Sequence, residues 1–114
     1  MITTAPVPVT STFDGTLSPS SYQIHVITAG HPGSVRITLT KAGPPDDVVV
    51  YLGVGTPGAD GSCPLATYVK TSAGTNPQIS GSAGSAGDLC IAIFDNEGVL
   101  TEDITYTISV VYPS

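Results

Sequence analysis

Residues 34–40 read Ser-Val-Arg-Ile-Thr-Leu-Thr, an unbroken alternation with Val35, Ile37 and Leu39 on one side and Ser34, Arg36, Thr38 and Thr40 on the other. A side-chain period of two belongs to an extended strand with one face in a core and one in water. Turn sequences bound it: Gly30-His31-Pro32-Gly33 comes before and Gly43-Pro44-Pro45-Asp46 after. The same period returns near the C-terminus. There Ile104, Tyr106, Ile108, Val110 and Tyr112 alternate with Thr105, Thr107, Ser109 and Val111, and Pro113 ends the run.

Outward from these two strands the signals weaken by degrees. The run Ser21–Thr28 predicts a half-buried strand with Tyr22, Ile24 and Val26 inward and His25 facing solvent. Val48–Leu52 is continuously apolar, as a central strand is. In residues 89–94, Leu89, Ile91 and Ile93 alternate with Cys90, Ala92 and Phe94, so both faces are apolar and this strand is expected to be central too. Thr12–Leu17 predicts a short strand interrupted at Asp14-Gly15. Between Gly53 and Gly87 the pattern loosens into Gly, Ser, Thr, Ala and Pro, with only Leu65, Tyr68, Val69 and Ile79 to anchor strands. Apolar residues nowhere recur at helical spacing for more than two turns. The expected fold is all-β, an antiparallel jelly-roll-like β-sandwich of seven to nine strands. It occupies residues 12–114 as one domain. Residues 1–11, with Pro6 and Pro8, are expected to form an extended, polyproline-like arm or linker.

Composition narrows the function classes. The 114 residues are 40% hydrophobic and 11% charged, which suits short strands joined by tight turns. The formal net charge is -6, and Arg36, Lys41 and Lys70 are scattered, so a nucleic-acid backbone has nothing to sit on. The same balance disfavours an anionic membrane surface, and no apolar run approaches the ~20 residues that span a bilayer, so membrane insertion is not expected. The chain opens Met1-Ile2-Thr3-Thr4 without the charged and apolar regions of a signal peptide; Met1 is read as standing in place of an export signal. Cys63 and Cys90 lie 27 positions apart, with no Cys-x-x-Cys and no histidine pair, which removes the usual zinc spacings. A disulfide is the leading reading and two buried thiols the alternative. In the loop-entropy account, a bridge of that span contributes about 3–4 kcal/mol.

Four local patterns together resemble the bacterial pre-peptidase C-terminal family. They are Tyr22-Gln23-Ile24-His25-Val26 before a glycine turn, Val35–Thr40 followed by Gly43-Pro44, Gly87–Asp95, and Leu100-Thr101 through Tyr106–Val110. The resemblance runs over roughly residues 12 to 112, and its most distinctive element is Gly-x-x-Cys-x-x-x-x-Asp-x-x-Gly, ending at Gly98. It implies a jelly-roll-like accessory domain outside the cell, in some relatives involved in attachment to polysaccharide or protein matrices, in some calcium-bound, and without catalytic activity.

The residues themselves offer little for chemistry. Nucleophilic catalysis needs a positioned base, and the two histidines are His25, read as outward-facing, and His31, in a Gly/Pro turn. The acid pairs Asp46-Asp47, Asp95-Asn96-Glu97 and Glu102-Asp103 lie at turns, where solvated carboxylates are ordinary. No cofactor is required. Calcium is the one ion considered, because several hard oxygen ligands fall within one hairpin, with Asp95 and Asp103 as its candidate ligands. Of seven aromatic residues, Tyr51 and Tyr68 are expected to face outward and to serve binding, and the rest to fill the core. The reading is a secreted or cell-surface, non-enzymatic domain for binding or adhesion, its partner an extracellular polysaccharide or protein. As an alternative it is a structural subunit of an extracellular assembly, joined to copies of itself by strand addition through the arm Ile2–Thr10.

Overall fold

The computed structural model describes residues 7–44, 46–95 and 98–113. Eight strands follow one another: β1 (Pro8–Leu17), β2 (Tyr22–Ala29), β3 (Gly33–Gly43), β4 (Val50–Gly55), β5 (Leu65–Thr71), β6 (Ile79–Ala83), β7 (Gly87–Phe94) and β8 (Ile104–Pro113). No helix occurs among the described residues. The strands form two four-stranded antiparallel sheets, in the orders β1-β8-β3-β6 and β2-β7-β4-β5. Most connections cross from one sheet to the other, giving the eight-stranded jelly roll expected of the sequence.

The two alternating runs build the core of the first sheet. Val35, Ile37 and Leu39 of β3 and Ile104, Tyr106, Ile108 and Val110 of β8 are all buried, and these strands pair in the centre of the sheet. A bulge between Leu39 and Lys41 lets Thr40 and Lys41 both remain exposed while Ala42 returns to the core. From the second sheet, Ile27, Val50, Leu52, Ile91 and Ile93 complete the same cluster.

Three expectations are corrected. Residues 8–11, read as part of a detached arm, begin β1, which pairs with β8 continuously from Pro8↔Pro113 to Leu17↔Ile104. Proline is tolerated there because β1 is an edge strand with one side unpaired. Residues 1–6 of the expected arm lie outside the described residues. The break expected at Asp14-Gly15 does not occur; Gly15 lies under the ring of Tyr106, where a Cβ would collide with it. Finally, β2 presents the opposite face to the one its composition suggests. Ile27 and Ala29 are buried, whereas Tyr22 and Val26 are 65% and 51% exposed. His25 therefore points between the sheets, its ring stacked on Phe13 at 4.7 Å and its Nε2 2.7 Å from the Tyr106 hydroxyl.

The reason lies in pairing. Register sets Ile27 opposite Leu89 and His25 opposite Ile91, so the parity of β2 follows that of β7. In turn β7 follows β4, where Val50 and Leu52 are buried and the alternate positions are Tyr51, Gly53 and Gly55.

Candidate functional site

The outer face of β2-β7-β4-β5 carries the side chains that this parity expels from the core. In the first row across it, Tyr22, Phe94, Tyr51 and Lys70 stand opposite one another on successive strands. Ile24, Ala92, Gly53 and Tyr68 form the second row, and Val26, Cys90 and Gly55 the third. In the second and third rows large residues occupy the margins and small ones the centre, so the face is a trough beyond the Phe94–Tyr51 pair.

The segment between β4 and β5 lies in that trough. A Cβ on Gly53 would stand 2.7 Å from Leu65 Cδ1, and one on Gly55 would overlap the Pro64 carbonyl. Glycine at both positions thus admits the chain directly onto the sheet. The Cys63–Cys90 disulfide, with Cα atoms 6.0 Å apart, ties the segment down. What stays open is a groove of about 500 Å³, walled by Tyr22 and Ile24 on one side and by Ser62, Cys63 and Leu65 on the other, over a floor of Ala92 and Phe94.

Tyr51 and Tyr68, the two aromatics expected on the surface, meet on this face, beside the groove rather than in its lining, with ring centroids 5.9 Å apart. The structure adds Phe94, stacked on Tyr51 at 5.2 Å and 16°, and the exposed Tyr22, both of which sequence reasoning had assigned to the core. Lys70 Nζ lies 5.9 Å from the Tyr51 centroid. A signal for this face existed in the alternate small residues Gly53 and Gly55, which have no place on the packed side of a central strand.

Asp95 closes one end of the groove. The residue is 4% exposed, and its carboxylate accepts hydrogen bonds from the backbone N–H groups of Ser20 (3.0 Å), Val99 (3.0 Å) and Leu100 (3.2 Å). Burial alone would raise the pKa of Asp95; the N–H donors of Ser20, Leu100, Val99 and Gly98 outweigh it and hold the group below its ordinary value. A cation at those oxygens would meet amide hydrogens already pointing at them. Asp103, the other candidate calcium ligand, is exposed just before β8 and takes no part in this network. No group of three His, Cys, Asp or Glu that could hold a metal ion occurs among the described residues. Asn96 and Glu97 lie outside them. Asp95 works as an anchor, joining the β1–β2 turn to the segment after β7, and its own N–H reinforces this by donating to Ser21 O at 3.0 Å.

Comparison with solved structures finds the same fold at low identity. A periplasmic lysozyme inhibitor of g-type lysozyme, PliG from Aeromonas hydrophila, is similar at a TM-score of 0.60 with 13% identity, covering 94% of this chain and 87% of that one. PliG of Salmonella Typhimurium gives 0.54 and 11%, over 90% and 86%. The Yersinia pseudotuberculosis-derived mitogen gives 0.56 and 10%, over 93% and 87%. No family model matches the chain, and no curated protein matches it in sequence.

Proposed function

We infer that this chain is a non-enzymatic binding domain of an oxidising, extracytoplasmic compartment, and that the outer face of β2-β7-β4-β5 holds a protein partner. The carrying observation is the collection of exposed rings and aliphatics on one side of one sheet: Tyr22, Val26 and Tyr68 are each more than half exposed on this face, and Tyr22 lines the groove itself. Aromatic side chains with polar tips, gathered around a pocket, are what protein interfaces use as anchors. The disulfide fits such a compartment.

Ring geometry favours a protein over a polysaccharide. Tyr51 and Phe94 are nearly parallel at 5.2 Å, a spacing at which coplanar neighbours would overlap, so each turns a face to the other and away from a stacked sugar. A groove between Tyr22 and the 62–65 segment, floored by Ala92 and Phe94, suits an inserted apolar side chain. Among the described residues, the only ionisable side chain lining it besides the tyrosine is Asp95, whose oxygens are engaged by amides and so are not free to act as a base. Two of the proteins with this fold are, by description, inhibitors of an enzyme, a task that also consists of holding another protein.

The test compares the wild-type chain with Tyr22→Ala and Tyr68→Ala in binding to purified extracytoplasmic proteins and to soluble neutral polysaccharides. A protein partner whose Kd weakens at least tenfold in each variant, with no effect from Thr16→Ala on the opposite sheet, is the expected result. Binding to polysaccharide alone, or protein binding indifferent to both tyrosines, would overturn the reading.

A further inference from the structure

The two lateral edges of the sandwich differ. Where β1 faces β2, Phe13, His25 and Tyr106 close the seam between the sheets. Where β6 faces β4 and β5, nothing comparable does. Gly81 occupies an inward position of β6, between the buried Ile79 and Ala83, yet it is exposed. A Cβ there would meet no atom within 4 Å, and the same is true of Gly84 and Gly87 just beyond. Across the gap Thr67, paired with the inward Val54, is exposed as well. The result is a cleft of about 420 Å³ that reaches the core itself, with Val35, Ile37, Ile79 and Leu89 in its lining.

We propose that this open seam is a second binding site, independent of the outer groove, and that it takes a small neutral amphiphile with an alkyl body and a hydroxyl-bearing end. The size is suitable: an apolar cavity of ~150 Å³ holds a benzene, and small-molecule sites begin near ~300 Å³. The apolar lining receives the body of the ligand, and Thr56, Thr67 and Ser85 in the same lining are the hydroxyl-bearing residues that would serve its polar end. Charge decides against an ionised ligand. Among the described residues Asp88 is the only ionisable one lining the cleft, and its Oδ1 accepts from Thr28 Oγ1 at 2.6 Å. With no cation among the described residues of the lining and a formal net charge of -6, a fatty-acid carboxylate meets no counter-ion from them.

Small glycines where side chains would seal the seam provide the handle for a test. The full chain is titrated with the neutral fluorophore N-phenyl-1-naphthylamine, then competed with monolaurin or with laurate at pH 8. Saturable 1:1 binding is expected, with monolaurin displacing the probe at least tenfold more effectively than laurate. Gly81→Leu should weaken probe binding at least tenfold without lowering the Tm, because it extends into open space. Gly81→Val is the shorter second variant should leucine disturb the fold. Tyr68→Ala, on the outer face, should bind the probe as the wild type does. Absence of saturable binding, binding unchanged in the folded Gly81 variant, or loss in Tyr68→Ala would each overturn the proposal. Equal displacement by laurate would overturn the neutral-ligand assignment.

Discussion

Replacing Asp95 with asparagine keeps the side chain's volume but sets an NH2 group among amides that already donate. We expect Asp95→Asn to lose about 2–3 kcal/mol in denaturant unfolding near neutral pH, since a buried, charge-assisted set of hydrogen bonds becomes partly unsatisfied. The pH dependence has a definite sign. The folded pKa lies below the ordinary 3.8, so the stabilisation is full above 3.8 and is lost as pH falls through the folded value. The gap between wild type and variant should therefore close in strong acid. His25 acts at higher pH. Desolvation lowers its pKa from 6.5, so the unfolded chain binds the proton more readily; stability is complete above 6.5 and declines as pH falls from there towards the folded value. The unfolding midpoint of His25→Gln should change less between pH 7 and pH 5 than that of the wild type.

Among the elements, the 56–64 segment depends most on a single bond. It lies on the outer face of β7 and β4, outside the shared core, and Cys63–Cys90 holds it there. In the sequence the bridge reads as pinning a loose third of the chain to the core, but β5 and β6 are strands held by their own pairing. The bridge instead shapes one wall of the groove. The Cys63→Ser/Cys90→Ser double variant should lose about 3 kcal/mol. Its amide exchange should accelerate in residues 56–64 far more than in β3 and β8, with partner binding at the groove weakened. Uniformly faster exchange throughout would mean that the bridge supports the whole fold.

Across the whole molecule, one cluster joins both sheets: Ile37, Leu39 and Ile108 from the first pack in it with Leu52, Ile91 and Ile93 from the second. Neither sheet has a separate core to fall back on. Ile108→Ala should cost about 2–5 kcal/mol, and probes placed on the two sheets should report a single unfolding transition. Noncoincident transitions would show that the sheets are separable.

Much of this fold is legible without coordinates, because alternation such as Val35-Ile37-Leu39 against Arg36-Thr38-Thr40 is enforced by the backbone's own period and needs no knowledge of neighbours. The same holds for β8, for the turns that punctuate the chain and for the pairing of two cysteines with no other use. Legibility failed where both faces of a strand were comparably apolar. In β2, Tyr22-Ile24-Val26 looks more like a core face than Gln23-His25-Ile27, and only pairing to β7, itself aligned with Gly53 and Gly55 of β4, determines which side is buried. The outer groove follows from that tertiary decision, and the seam at Gly81 from the pairing of β6 with β3 at the edge of the other sheet. What local sequence determined about this protein was its strands; which surfaces it leaves open was decided by how those strands share a single interior, since facing is a property of pairs and sheets rather than of any one segment.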